Sequence, residues 1–129
     1  MRILYILVLL LLIPGCTLVG KAHEIKVSVN VIPSKVSINY NKYIEMNVVV
    51  LNIGSKTVTA NIDAGNTEGL VIIKPERATV TLKPQESRIL GFKAKLEESA
   101  LPGNYIVDII GKTNDGDTVV TKANLMVTE

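Results

Sequence analysis

From His23 onward, apolar and polar residues alternate with a period of two, the repeat of a strand with one face buried and one face wet. Ile25, Val27, Val29 and Val31 are separated by Lys26, Ser28 and Asn30. Pro33-Ser34-Lys35 interrupts the rhythm, and Val36, Ile38 and Tyr40 resume it. After a polar turn over 39–42, the stretch Tyr43 to Ile53 places Ile44, Met46, Val48 and Val50 on one face. Val49, Leu51 and Ile53 fall on the other face. A strand apolar on both faces is expected at the centre of its sheet or covered on its outer side.

The pattern continues through turn signals. Asn52-Ile53-Gly54-Ser55 predicts a turn, with Gly54 free to adopt positive φ. Val58, Ala60 and Ile62 alternate, followed by a loose loop over 65–69. Short segments at Leu70 to Ile73 and at Ala78, Val80 and Leu82 flank Lys74-Pro75-Glu76-Arg77. Lys83-Pro84-Gln85-Glu86 is a further turn, and Leu90, Phe92, Ala94 and Leu96 line the next strand opposite Lys93 and Lys95. Only Glu97 to Gly103 has room for a helical turn, and Pro102-Gly103 ends it. Asn114-Asp115-Gly116-Asp117 between two alternating runs is a strong hairpin signal. Seven to nine short strands with no helix of useful length predict an all-β fold, an antiparallel immunoglobulin-like β-sandwich over residues 23–129.

Residues 1–22 read as an address. One cation at Arg2 precedes an unbroken apolar run, Ile3 to Ile13, and Pro14-Gly15 then breaks any helix. Eleven residues of helix span about 16 Å, roughly half of a hydrocarbon core. Ile13-Pro14-Gly15-Cys16 resembles the lipobox of prokaryotic lipoproteins, although Pro14 departs from the usual small or branched residue. The resemblance implies that Cys16 carries lipid, and the only Cys of the chain stands at that position. Cutting after Ala22 instead would release a domain that starts at His23. An uncut anchor is the third form, since residues 3–20 carry no charge. The expectation is an extracytoplasmic, membrane-anchored protein at the cell surface, with secretion as the alternative.

Composition narrows the functional classes. The chain has 129 residues, enough for one domain, and is 47% hydrophobic but only 4% aromatic, with no Trp. Fourteen Lys plus Arg against 12 Asp plus Glu leave a net charge of +2, too balanced for a nucleic-acid binder. One Cys excludes a disulfide framework and a multi-thiolate zinc site. Nucleophilic catalysis needs a nucleophile, a base and an orienting group. After Ala22 there is no Cys, and the only His is His23, read as a solvated terminal residue outside the sandwich. The expectation is therefore a protein that is not an enzyme and needs no cofactor.

From Tyr43 onward the chain resembles prokaryotic immunoglobulin-like surface domains, including the cell-adhesion-related CARDB domain and the accessory domain beside alpha-galactosidase modules. The shared text is Val48-Val49-Val50-Leu51-Asn52-Ile53-Gly54, then Val80-Thr81-Leu82-Lys83-Pro84-Gln85-Glu86-Ser87, then Leu101-Pro102-Gly103-Asn104-Tyr105-Ile106-Val107. Gln85 stands where those domains usually have Gly, so a different turn type is expected there. The resemblance implies a spacer, an adhesion module or a partner of other surface proteins.

Candidate sites are few. Tyr40 and Tyr43 flank one turn and are the candidate contacts for a surface protein or a glycan, with covering of the core end as their structural reading. Tyr105 fits a tyrosine corner, whose hydroxyl bonds back to the chain. Lys93 and Lys95 read as protection of a sheet edge. Asn114, Asp115 and Asp117 are too few oxygens for Ca²⁺ and suit a turn, so no metal ligand is assigned. Glu97-Glu98 read as solvated loop charge and Asp108 as outward-facing. The functional expectation is a non-catalytic binding or structural module, with an accessory, carbohydrate-associated module as the alternative.

Overall fold

The computed structural model describes residues 23–129; the address in residues 1–22, with Cys16 and both cleavage points, lies outside the described residues. Nine strands follow in chain order: β1 (Ile25–Ile32), β2 (Lys35–Ser37), β3 (Ile44–Asn52), β4 (Val58–Ala64), β5 (Leu70–Ile73), β6 (Thr79–Leu82), β7 (Ser87–Leu96), β8 (Gly103–Thr113) and β9 (Thr118–Thr128). They form a four-stranded sheet in the order β1-β3-β7-β5 and a five-stranded sheet in the order β2-β9-β8-β4-β6. The fold is an all-β sandwich of two sheets. Residues 97–103 hold a turn closed by Ala100 N–H donating to Glu97 O at 3.0 Å, and no helix.

Strand β3 is central, paired antiparallel from Ile25↔Asn52 to Ile32↔Glu45 on one side and from Ile44↔Ala94 to Leu51↔Ser87 on the other. That position accounts for its apolar residues on both faces. Ile44, Met46, Val48 and Val50 are buried between the sheets, while Val49 and Leu51 are half-covered on the outer face. β1 pairs along its whole length with β3 and forms an edge of the sheet. One pairing departs from the antiparallel expectation: after the cis Ile32–Pro33 bond the chain changes sheet, and β2 runs parallel to β9 from Lys35↔Met126 to Ser37↔Thr128.

The core is aliphatic. Phe92, Ile25, Ile44, Met46, Ile62, Leu82 and Ile109 are its largest fully buried side chains, interleaved with four fully buried valines, Val48, Val50, Val107 and Val127. Each such side chain contributes roughly 1.5–3 kcal/mol on burial, so many small contributions replace the few large aromatic ones that this composition lacks.

Asn52 is the exception, a polar side chain with 0% exposure at the end of β3. Its Nδ2 donates to Lys56 O at 2.8 Å and Leu82 O at 3.0 Å, and its Oδ1 accepts from Gly54 N–H at 2.9 Å. Its backbone N–H donates to Glu86 O and its carbonyl accepts from Gln85 N–H. The first two motif stretches therefore meet at one residue. Gly54 serves this contact by its N–H and keeps a negative φ, contrary to the expected left-handed turn. At the 83–86 turn the outcome is also different from expectation. Gln85 adopts φ 66, the left-handed conformation that the usual Gly supplies, so the turn is retained despite the substitution.

The third motif stretch builds a tyrosine corner. Tyr105 donates its hydroxyl hydrogen to Leu101 O and accepts from Leu101 N–H at 2.9 Å. A Cβ at Gly69, which has φ 88, would lie 2.8 Å from the Tyr105 ring, so only glycine fits there.

Two outcomes check these assignments by thermal unfolding. Asn52→Leu keeps the branched shape but strands two carbonyls and one N–H, each worth about 1–3 kcal/mol when left unpaired and buried. A loss of about 3 kcal/mol is expected, lowering Tm by more than about 10 °C. Gln85→Gly relieves a left-handed cost of about 1–2 kcal/mol against about 0.4–1 kcal/mol of added unfolded-state freedom. Tm should rise by a few degrees; a fall would show that the Gln85 side chain itself stabilises the turn.

Candidate partner-binding site

Tyr40 and Tyr43 are separated by a turn that carries the chain from one sheet to the other. Tyr40 follows β2, where its N–H donates to Ser37 O at 3.0 Å, and its half-buried ring packs against the core. With Ile38, Lys95, Glu97 and Glu98 it lines an open cavity of about 330 Å³ at the end of the sandwich. Tyr43 immediately precedes β3. Since Ile44 pairs with Ala94, Tyr43 stands opposite Lys95 on the outer face of the four-stranded sheet. It is 48% exposed. The structure thus gives the two tyrosines different parts: Tyr40 covers the core end, and Tyr43 does not.

The ammonium of Lys95 lies 5.4 Å from the centroid of the Tyr43 ring and that of Lys93 lies 5.8 Å from it. Contacts of this kind at exposed sites contribute about 0.5–1 kcal/mol. Lys95 also lines the Tyr40 cavity, so it joins the two candidate residues into one site. The edge-protection reading of these lysines does not hold, because β7 lies between β3 and β5 and is not an edge along this stretch. They project from an interior strand, flanked by exposed Val71 and Ile73 of β5. Among the described residues neither lysine has a carboxylate within ion-pair distance, although Glu45 pairs with Lys93 in register.

The other outer face satisfies itself. Lys122 binds Asp108 at 3.1 Å across β8 and β9. Thr59 and Thr81 share a hydroxyl bond of 3.0 Å, and Thr79 donates to Asn61 Oδ1 at 3.3 Å. At the rim, Lys74 binds Asp63 at 2.5 Å, and this hydrogen bond holds the Asp63 carboxyl below the ordinary aspartate value.

His23 is held, contrary to its reading as a solvated terminus. Its Nδ1 lies 2.9 Å from Asp117 Oδ1, and Asp117 Oδ2 accepts from Glu24 N–H at 3.1 Å. The link spans 94 positions, and no local pattern announces it. It ties the start of β1 to the β8–β9 turn, where Gly116 has φ 89. Asn114 Oδ1 accepts from Thr59 N–H at 3.4 Å, so the oxygens of Asn114 and Asp117 serve the fold. Glu97 Oε2 accepts from Ser99 Oγ at 3.5 Å in its loop. Among the described residues no group of His, Cys, Asp or Glu is arranged to hold a metal ion.

No sequence-family profile matches the chain, and comparison with curated proteins gives no significant match. Solved structures share the fold. A FixG-related protein from Vibrio parahaemolyticus superposes with a TM-score of 0.64 at 12% identity, over 84% of this chain and 100% of that one. Part of the E. coli alpha-2-macroglobulin matches with a TM-score of 0.66 at 14% identity, over 82% of this chain and 7% of that one. The CARDB domain of the PF1109 protein from Pyrococcus furiosus, solved in complex with di-metal ions, matches with a TM-score of 0.52 at 20% identity. That match covers 84% of this chain and 98% of the domain. The fold is an immunoglobulin-like β-sandwich, a fold that the CARDB domain shares. At such identities the likeness concerns the fold and leaves ligands to be argued from the site.

The His23 contact has a pH signature. The hydrogen bond from His23, and then that from Glu24 N–H, lower the Asp117 pKa below the ordinary aspartate value. A depressed carboxyl stabilises the fold fully above its unfolded value, near 3.9, and loses that contribution as pH falls through its folded value. Asp117→Ala should therefore lower Tm at pH 7, and the gap to the unsubstituted protein should close below about pH 4. A gap that stays constant down to pH 2 would assign the loss to the turn backbone.

Proposed function

We propose that this chain is a non-catalytic immunoglobulin-like module, held outside the cytoplasm at the membrane, that presents its Tyr40–Tyr43 end to another surface protein. The observation that carries this reading is Tyr43, an exposed ring with two unpaired ammonium groups over it, on an otherwise regular sheet. Tyrosine supplies large contact area at low conformational cost and is enriched at interface hot spots. Unpaired lysines steer an acidic partner toward it. Lipid on Cys16 is the proposed anchor, since two acyl chains hold a protein to a bilayer where one does not. The uncut segment is the second form of attachment and release after Ala22 the alternative to both. The single imidazole is engaged with Asp117 and holds the start of β1 to the β8–β9 turn, a structural role. No cofactor is required for such a role.

A second reading, an accessory carbohydrate-associated module, draws on the same ring. Beyond Lys93 the face opens into a flat strip at Gly91, where nothing stands within 4 Å of a side-chain position, and Asn47 lies opposite it in register. An open strip between an aromatic ring and an amide suits a sugar as well as a peptide.

Photo-crosslinking from position 41 in native membranes, with Tyr43→Ala and Lys95→Glu as comparisons, separates the readings. A discrete protein adduct reduced about tenfold or more in both variants supports a protein partner. Saturable binding on a glycan array, lost in Tyr43→Ala and without such an adduct, transfers the site to the second reading. An adduct unchanged by both substitutions removes Tyr43 and Lys95 from the interface.

A further inference from the structure

β5 forms one edge of the four-stranded sheet, and among the described residues it pairs with β7 alone. Glu97 N–H donates to Gly69 O at 2.9 Å, one position beyond the Leu70↔Leu96 register. Hydrogen-bonded pairs alternate along an antiparallel ladder. Val71 and Ile73 therefore bond to β7, while the N–H and C=O of Ile72 point away from it. Leu70, which shares that orientation, turns its N–H to Thr67 O at 3.1 Å. Among the described residues no loop or side chain bonds the backbone of Ile72. Nor does the strand carry the usual guards of an edge, since Leu70, Val71, Ile72 and Ile73 are aliphatic throughout, without charge, proline or bulge. On the outer face Val71 is 48% exposed and Ile73 39%. The other edges differ. On β1, Val27 O accepts from Thr121 Oγ1 at 2.7 Å; β6 turns Thr79 and Thr81 to solvent; β2 is three residues long.

We propose that the β5 edge receives an extended segment of the partner protein as an added strand, bonded through the N–H and C=O of Ile72. The inference rests on the partner-binding reading above, whose site it adjoins. Val71 pairs with Lys95, and the Lys95 ammonium lies 5.4 Å from the Tyr43 ring centroid. Tyr43, Lys95 and Val71 thus share one row, with Tyr43 and Val71 two strand spacings apart, about 10 Å. In strand addition the backbone bonds give affinity and the side chains along the edge select the sequence. Beside Val71 and Ile73 the favoured neighbours are β-branched or aromatic, as in other cross-strand pairs. Charge is close to balance here, because Glu45 faces Lys93 in register and Glu97 follows Lys95 along the chain. Selection at the edge is therefore by backbone and shape. Ile72 offers one donor and one acceptor, so the edge adds to the Tyr43 contact rather than replacing it. A partner seated on Tyr43 brings its own chain to this edge at high effective concentration, an advantage that a second copy arriving from solution lacks.

An uncharged probe tests the edge: a head-to-tail cyclised hairpin peptide whose free edge alternates valine and threonine. Its control is the same peptide with the amides of that edge N-methylated. Each would be titrated into the full-length chain in detergent micelles and followed by NMR. The first peptide should shift the Ile72 amide resonance and slow its hydrogen exchange about threefold or more, leaving the Val71 amide, already bonded to β7, unmoved. The methylated peptide should do neither. Ile72→Pro removes the donor without breaking a β5–β7 bond, and Val71→Lys places a charge on the exposed edge as a second variant. Both should weaken binding about tenfold, and with it the photo-adduct formed from position 41 in native membranes. Equal binding of the two peptides, or no response at Ile72, overturns the strand addition. An adduct lost in Tyr43→Ala but unchanged in Ile72→Pro and Val71→Lys also overturns it, while the Tyr43 reading stands. Absence of any adduct from the unsubstituted chain removes the reading and the inference together. Dimerisation of the chain alone, abolished by Ile72→Pro, overturns the proposal by assigning the edge to a second copy.

Discussion

At the His23 end of the sandwich one buried amide holds three pieces of chain in place. An aliphatic core drives two sheets together without direction, and its valines and isoleucines tolerate small shifts of one loop against another. Asn52 does not tolerate them, because it must meet the carbonyls of Lys56 and Leu82 and the N–H of Gly54 at once. Its backbone adds bonds to Glu86 and Gln85. The end of β3, the β3–β4 loop and the β6–β7 turn are thereby fixed relative to one another. Two sequence stretches some thirty positions apart are thus the two sides of one hydrogen-bonded joint.

The central position of β3 has a second consequence, for the outer surfaces. A strand flanked on both sides and half-covered outside carries apolar residues where an edge strand would carry charge. Those residues, with the lysines of β7, give the four-stranded sheet an outer face on which, among the described residues, Lys93 and Lys95 meet the Tyr43 ring rather than a carboxylate. The five-stranded sheet resolves its outer face internally, through the Lys122–Asp108 pair and the threonine contacts of β4 and β6. The difference between the faces follows from strand order.

Much of this was legible in the sequence, because alternation is a local signal. Every strand lies where the period of two put it, and the Asp115-Gly116 hairpin and the Tyr105 corner follow from chemistry within a few residues. What was not legible depends on contacts across long separations. The exchange of β4, β5 and β6 between sheets leaves no periodic trace, so Lys93 and Lys95 looked like an edge stripe although β5 covers their strand. The 94-position link from His23 to Asp117 is invisible to any window. Tyr40 and Tyr43 were legible as a pair, yet the turn between them changes sheet, and one ring turns to the core while the other stays on the surface. At Gln85 the opposite holds: the residue departs from the familiar pattern and the backbone conformation does not.

The two ends of the four-stranded sheet's outer face are related through β3, since Tyr43 precedes it and Ile53 follows it. A hydrogen-bonded strand flanked on both sides resists bending, so what orients Ile53 also orients Tyr43. Asn52 stands immediately before Ile53 and anchors the loop that begins there. If that loop were loose, Ile53 would adjust to any surface without constraining the rest of the domain. Fixed by a fully satisfied buried amide, it transmits orientation instead, and a contact at one end of β3 determines which way the Tyr43 ring and its two lysines face. The same residue that joins the motifs of the fold therefore holds the Ile53 loop and the Tyr43 ring, at the two ends of β3, in one rigid relation.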